Sequence, residues 1–263
     1  LARGFELYQD DMSATQARYG IDKASDAPQR PADETTDLVL PWLDEHGREP
    51  FALLVHYFDA HDPSFVPPRD WLAKHVSFAL PAAVARAGDA RRIPALADPR
   101  NLVELYDAEI RYMDEQLARV LAKLDELGVR ENTLIAVVAD HGEAFGEHAF
   151  WTHGLLYQEQ LRVPFVLAGP GVRAGVVVEG RGRLVDFLPT IADALDLPTP
   201  SAALDGRSLL PLIDADEREP REVYSEVHHA AEDRLRRDAE MYALRVNDWK
   251  YIHRPATEKH ELY

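Results

Sequence analysis

Residues 133–143 read TLIAVVADHGE, an apolar run that ends at once in Asp140, His141 and Gly142. A short apolar run of this kind predicts a buried strand, and ligands of α/β proteins bind beyond the carboxyl ends of such strands. Carboxylate oxygen and imidazole nitrogen both bind metal ions, and a glycine lets the backbone turn. The stretch therefore predicts a metal site. Taken alone, it is equally compatible with an aspartate bonded within a turn beside a surface histidine.

A long amphipathic segment precedes this strand. Apolar residues recur every three or four positions between Leu102 and Leu127, which predicts one helix with a buried stripe. Asn101 is placed to cap the start of this helix, and Gly128 is placed to end it. Residues 22–36, which are polar and contain proline, predict a surface loop.

Residues 51–58, FALLVHYF, predict a second buried strand upstream of the helix. Strand, long helix and strand in succession indicate an α/β fold with a mostly parallel sheet flanked by helices. Residues 163–168 predict a further strand, and residues 184–197 predict a further helix. Asp186 on that helix is expected to cap the helix or to make a buried hydrogen bond rather than to bind metal.

The pattern of apolar and polar residues changes near residue 215. Residues 223–227, 241–246 and 249–253 predict short strands joined by polar turns, without long helices between them. We therefore expect residues 1–215 to belong to the α/β domain. Residues 216–263 should form a small C-terminal antiparallel α+β subdomain.

Composition narrows the class of protein. The 263 residues carry a formal net charge of -17, which disfavours binding to nucleic acid or to an anionic membrane surface. No apolar run approaches the roughly 20 residues of a membrane-spanning helix. With no cysteine, the chain holds no disulfide, no thiolate ligand and no cysteine nucleophile. Cytoplasmic and periplasmic locations are equally compatible with the sequence.

Four longer strings carry a resemblance to a known family. They read FALLVHYFDAHDPSFVPP, YDAEIRYMDEQLARVLAKLDELGVRENTLIAVVADHGEAFGEH, THGLLYQEQLRVPFVLAGPG and LVDFLPTIADALDLP. In this order they resemble the C-terminal half of the sulfatase family, in the alkaline phosphatase superfamily. They are especially similar to bacterial sulfatases and to phosphonate or phosphate diester hydrolases. The resemblance implies an alkaline phosphatase-like fold and metal-dependent hydrolysis of sulfate esters.

The resemblance also implies roles for four residues. Asp140 and His141 match two ligands of a single divalent metal ion, for which the histidine favours Mn²⁺ or Zn²⁺ while Ca²⁺ stays possible. His61 matches a histidine that contacts the sulfate or phosphate group and helps to protonate it. His153 matches a basic position that touches the substrate oxygens and the leaving group. We expect all four in one pocket at the end of a central parallel strand, with a small-molecule ester as substrate.

The sequence also lacks two motifs of the family pattern that active members need for catalysis. Active members carry an upstream paired-aspartate motif and a Cys-x-Pro-x-Arg or Ser-x-Pro-x-Arg nucleophile string, and neither is present here. The chain is therefore expected to be a fragment without the nucleophile and to be inactive by itself. Two alternatives stay open: part of a phosphonate monoester or phosphodiester hydrolase, and a noncatalytic pseudoenzyme module.

Overall fold

The computed structural model divides the chain into two compact units, Leu1–Arg130 and Glu131–Tyr263. The residues that the structure describes are 4–11, 30–61, 67–79, 98–198, 204–215, 221–228 and 240–263. Among the helices of these residues, none is both long and apolar enough to cross a lipid bilayer.

Helices dominate the described part of the first unit. They are α1 (Ala32–His46), α2 (Arg69–Leu72) and α3 (Pro99–Leu127). Helix α1 packs against α3 and buries Val39 and Leu43. The predicted surface loop at residues 22–36 is therefore wrong in its last part, because α1 begins at Ala32. Residues 22–29 lie outside the described residues.

Helix α3 confirms the long amphipathic helix, with a correction at its start. Asp98, not Asn101, is the N-cap, and its carboxylate accepts the backbone N–H of Arg100 at 3.0 Å. Pro99 occupies the first turn, where its missing N–H costs no hydrogen bond. At the other end Gly128 adopts a left-handed conformation with φ of 72°, as its position predicted.

Residues 51–58 do not form the predicted parallel strand. They are described in the structure but have no ladder partner, and Leu54 is 59% exposed. A strand needs a neighbour to satisfy its backbone groups, and no strand is formed by the described residues of this unit. The apolar run therefore predicted a paired strand that the described residues of this unit do not form.

The second unit begins with strands that pair differently from the prediction. Strand β1 (Ile135–Val138) pairs with β4 (Phe165–Ala168), and the pairing is antiparallel with Ile135 opposite Ala168. The mostly parallel sheet is not confirmed, since all ladders among the described residues are antiparallel. Between these strands lie β2 (Ala144–Phe145), β3 (Trp151–Thr152) and α4 (Gln158–Leu161).

Further along, the predicted helix near residues 184–197 is confirmed. It begins as a 3-10 turn, Leu184–Asp186, and continues as α5 (Phe187–Ala194). Helix α6 (Leu210–Ala215) follows and contacts α5.

The C-terminal sheet is a four-stranded antiparallel meander. Its strands, paired in chain order, are β5 (Val223–Val227), β6 (Met241–Val246), β7 (Trp249–Arg254) and β8 (Lys259–Leu262). Three of them match the strands predicted from sequence. Met241, Ala243 and Ile252 face inward and pack on Leu156 and Tyr157, so the sheet supports the segment that follows β3. The division into residues 1–215 and 216–263 stays a prediction.

Candidate active site

Asp140 and His141 lie just beyond the carboxyl end of β1, as the sequence predicted. The backbone N–H of His141 donates to Asp140 Oδ1 at 3.0 Å, which fixes the turn. The Asp140 side chain is 80% exposed, so its carboxylate is open to a ligand. Strand β1 itself is held by β4, and this pairing gives the turn a rigid base.

Gly142 is required by the close approach of a second segment. Its backbone N–H donates to the carbonyl of Gln160 at 2.8 Å, and a Cβ here would lie 2.2 Å from the carbonyl oxygen of Glu159. The side chain of Gln160 is buried, and its Oε1 accepts the N–H of Leu155 at 2.6 Å. Helix α4 therefore ties together the two segments that carry His141 and His153.

A short hairpin brings Glu143 to His153. Strands β2 and β3 pair Ala144 with Thr152, and one further step of the same register sets Glu143 opposite His153. Nδ1 of His153 lies 2.9 Å from Glu143 Oε2, and the side chain of Glu143 is only 7% exposed. A carboxylate can only accept a hydrogen bond, so this contact places a proton on Nδ1 of His153.

The two histidine rings stack on each other. Their centroids are 4.0 Å apart and their planes differ by 29°. Nδ1 of His141 lies 2.9 Å from the carbonyl oxygen of Gly142, so this nitrogen also carries a proton. In the neutral form of His141, Nε2 is then the nitrogen with the lone pair, which is the arrangement found in metal-binding histidines.

His61 belongs to the first unit. Its backbone N–H donates to the carbonyl of Phe58 at 3.0 Å, and its half-buried ring lies 5.3 Å from the Phe58 ring between centroids. The structure thus brings Asp140, His141 and His153 together within the second unit. The expectation that His61 shares their pocket stays a prediction.

Asp59, two residues before His61, is a buried carboxylate that sequence reasoning passed over. Burial raises its pKa to about 6, against the opposing effect of the hydrogen bond from the backbone of Ala32. Its Oδ1 accepts that N–H at 3.0 Å, at the first residue of α1. Asp59 therefore joins the segment that bears His61 to the start of α1.

Two contributors to the site in the second unit were also missed. Glu143 is visible in the string DHGE, and a hairpin between residues 143 and 153 would have indicated its partner. No sequence pattern indicated a role for Gln160, because that role depends on a tertiary contact. His148 instead packs its ring on Tyr157, with centroids 3.7 Å apart, which indicates a structural role in the loop.

A carboxylate, two stacked imidazoles and a second carboxylate, held at a strand end, define a site suited to a divalent metal and an oxyanion. The sulfatase family model matches residues 2–197, and the model of the N-sulphoglucosamine sulphohydrolase C-terminal region matches residues 146–263. The chain belongs to the sulfatase family, in the alkaline phosphatase superfamily.

Individual relatives agree with this assignment. The chain is 30% identical to choline-sulfatase of Rhizobium meliloti (strain 1021), over 80% of this chain and 43% of that protein. Its fold matches the phosphonate monoester hydrolase of Agrobacterium radiobacter with a TM-score of 0.68, at 23% identity, over 96% and 62% of the two chains. It matches the protein BT4656, solved with its substrate D-glucosamine-2-N,6-O-disulfate, with a TM-score of 0.67, at 20% identity, over 90% and 63%. The chain spans about half the length of the curated relatives it matches.

Members of the sulfatase family typically bind a divalent metal ion. The residues present fit such an ion. Asp140 offers an exposed carboxylate, and the hydrogen bond of His141 to Gly142 leaves Nε2 as the donor atom of that ring.

Proposed function

We propose that the protein hydrolyses sulfate esters, with Asp140 and His141 as metal ligands and His61 and His153 as catalytic residues. One observation carries the proposal. In a chain of the sulfatase family, Asp140 lies beside a stacked pair of histidines, His141 and His153, whose proton positions are fixed by protein acceptors.

The arrangement suits the demands of ester hydrolysis. A sulfate ester needs positive charge near its nonbridging oxygens and a proton for the departing oxygen. A divalent metal ion held by Asp140 and His141 would supply the positive charge. His153, oriented by Glu143 through Nδ1, directs Nε2 away from that carboxylate. In its imidazolium form, with a proton on both nitrogens, His153 would donate from Nε2 to the substrate oxygens. His61 protonates the leaving oxygen.

The donor set also bears on the metal. All-oxygen sites suit Ca²⁺, whereas an imidazole nitrogen favours transition metals. His141 therefore favours Mn²⁺ or Zn²⁺ over Ca²⁺ in this protein.

The nucleophile comes from a segment that these 263 residues do not contain. The chain has no cysteine and no Ser-x-Pro-x-Arg string. It thus contributes half of the metal site and the proton-donating side of the reaction, and hydrolysis requires both parts.

The relatives favour sulfate over phosphonate as the reacting group. The sulfatase model and choline-sulfatase match at the level of sequence, whereas the likeness to phosphonate monoester hydrolase, at 23% identity, shows the fold alone. A small sulfated molecule is the substrate class that these relatives support.

The test uses the longer protein, in which this chain is joined to a segment with the nucleophile. Rates are measured on aryl sulfates with a range of leaving groups, and on an aryl phosphonate monoester. His61→Ala should lower turnover by about 10²- to 10⁴-fold, most for poor leaving groups, while the metal stays bound. His46→Ala, at a half-exposed position of α1, is the matched control and should change nothing.

Two results would contradict the proposal. If the phosphonate ester were hydrolysed faster than every sulfate ester, the substrate class would be a phosphonate ester and not a sulfate ester. Loss of metal in His61→Ala would show that His61 is a ligand and not an acid.

A further inference from the structure

A second group of potential metal ligands lies on the C-terminal hairpin. His253 on β7 and His260 on β8 are directly opposite each other across the ladder. Their rings are stacked, with centroids 4.6 Å apart and planes that differ by only 4°. Glu258, in the turn between the strands, has a positive φ of 50° that turns the chain back toward β7.

The donor atoms of these three side chains converge. One nitrogen of each histidine and one carboxylate oxygen of Glu258 all lie within 4.8 Å of one another. Two imidazoles and one carboxylate are a common protein ligand set for Zn²⁺, with a further position for water. Glu258 and His260 are both exposed, so their side chains have room to rotate toward a shared ion.

Hydrogen bonding indicates which ring nitrogens are the ligands. Nδ1 of His260 lies 2.5 Å from the hydroxyl of Tyr251, which leaves Nε2 as the atom to ligate. Nε2 of His253 is buried and has no hydrogen-bond partner among the described residues. A buried nitrogen of this kind is rarely left unpaired, so it indicates a ligand that the protein atoms do not provide.

We propose that His253, Glu258 and His260 form a binding site for a divalent transition metal ion of the zinc class. The site shares no residue with the Asp140–His141 pair and does not depend on the proposed function. The bound ion links β7 to β8 and stabilises the hairpin that ends the described chain. Tyr251 is a positioning residue, because its hydroxyl contacts Nδ1 of His260 and, when it accepts the Nδ1 proton, Nε2 carries the lone pair for the metal ion.

Zn²⁺ binding to the full 263-residue chain tests the site. Every sample carries Asp140→Ala and His141→Ala, so that the proposed catalytic metal site is removed. Titration against a chromophoric chelator should show one Zn²⁺ per chain. His260→Ala and Glu258→Gln should each lower the affinity at least as much as Tyr251→Phe, for which we expect a loss of about 10- to 100-fold.

Thermal unfolding separates binding from folding. Zn²⁺ should raise the melting temperature of the background chain but not that of the His260→Ala chain. With Cu²⁺ as a probe, electron paramagnetic resonance should show two nitrogen ligands in the background chain and one in the His260→Ala chain. His46→Ala, which removes a histidine outside the cluster, should behave as the background. Equal Zn²⁺ affinity in the His260→Ala and background chains would overturn the proposal, as would an absence of stoichiometric binding.

Discussion

Asp140 and His141 are neighbours in sequence but are held by different contacts. The carboxylate of Asp140 accepts the N–H of His141 through one oxygen and is otherwise open to solvent. The ring of His141 is fixed by the carbonyl of Gly142 and by stacking on His153. As ligands of a metal ion, the carboxylate would supply the charge and the imidazole would supply a donor atom of fixed direction.

These roles predict different outcomes for the two ligands. In a protein that joins this chain to a nucleophile-bearing segment, as proposed above, Asp140→Ala should abolish retention of the metal and activity together, because a carboxylate both neutralises and fixes the ion. His141→Asn should keep activity but shift the metal preference from Mn²⁺ or Zn²⁺ toward Ca²⁺, since an oxygen donor replaces nitrogen at similar reach. Metal analysis after dialysis measures both effects, in a His260→Ala background so that a single site is counted.

Asp107→Ala, at an exposed position of α3, is the control for removal of an aspartate. Metal retained by Asp140→Ala at the level of this control would mean that the turn after β1 is not the metal site.

Asp59 predicts how stability depends on pH. Its pKa rises from 3.8 in the unfolded chain to about 6 in the folded protein, because it is buried. Between these values the folded chain keeps a proton that the unfolded chain has released, so the free energy of unfolding falls as pH rises from about 4 to 6. Asp59→Asn should remove this dependence and raise the free energy of unfolding at pH 7 by about 2–3 kcal/mol.

Denaturant titrations at several pH values measure this effect. Asparagine keeps an oxygen that accepts the N–H of Ala32, so the substitution preserves the contact with α1. Asp107→Asn, at an exposed position of α3, is the matched control and should leave the pH dependence unchanged. A destabilised Asp59→Asn variant at pH 7 would indicate that the ionised carboxylate stabilises the fold.

Among the elements, the 3-10 turn before α5 depends on a buried ion pair. Asp186 is fully buried, and its carboxylate accepts hydrogen bonds from Arg183 at 2.8 Å, Arg221 at 3.1 Å and the backbone of Arg207 at 3.0 Å. Burial alone would raise the pKa of Asp186, but the hydrogen bonds from Arg183 and Arg207 hold it below its usual value. The expectation of a buried hydrogen bond rather than a metal ligand is confirmed.

Removal of this carboxylate should be costly. Asp186→Ala removes a carboxylate that pairs with the buried Arg221, and we expect a loss of about 3–5 kcal/mol in the free energy of unfolding. The double variant Asp186→Ala, Arg221→Met should recover part of that loss, because it also removes the buried positive charge. Chemical denaturation of both variants checks this. A double variant less stable than Asp186→Ala would show that Arg221 stabilises the fold through its other contacts.

The sequence pattern was sufficient to predict some of the helices and strands but not others. Helix α3 was predictable because its apolar residues recur over about seven turns. Its N-cap was misplaced by one turn because Asp98 and Pro99 precede that pattern. Helix α1 was missed, since it buries Thr35 and Thr36 beside few apolar side chains and contains Pro41. Its stability comes from packing against α3, which periodicity does not reveal.

The residues of the candidate site also fall into those that the sequence indicated and those that it did not. The position of Asp140 and His141 beyond a strand was predictable because they follow an apolar run, while their role as ligands and the role of His153 stay predictions from the family resemblance. Glu143 and Gln160 act through a hairpin register and a buried side chain, and both depend on how distant segments meet. Such contacts leave no local pattern in the sequence.

At the scale of the whole molecule, a parallel sheet requires strands from several segments of the chain to pair side by side in the same direction. Residues 51–58 have no strand partner in the described part of the first unit, and β1 has β4 as an antiparallel neighbour. The apolar runs at residues 133–139 and 163–168 correctly indicated the strands β1 and β4. They carried no information on pairing direction, because a buried strand reads alike in parallel and antiparallel sheets.

The missing nucleophile leads to a prediction about the isolated chain. The 263 residues hold candidate metal ligands and a histidine oriented by Glu143, but charge stabilisation without covalent attack loses most of the rate. The purified chain should therefore hydrolyse aryl sulfates and aryl phosphates no faster than the free metal ion does. Circular dichroism and metal binding on the same sample establish that the chain is folded and loaded. Turnover that is well above this background and is lost in Asp140→Ala would require a nucleophile within these residues, and would overturn the assignment of that role to another segment.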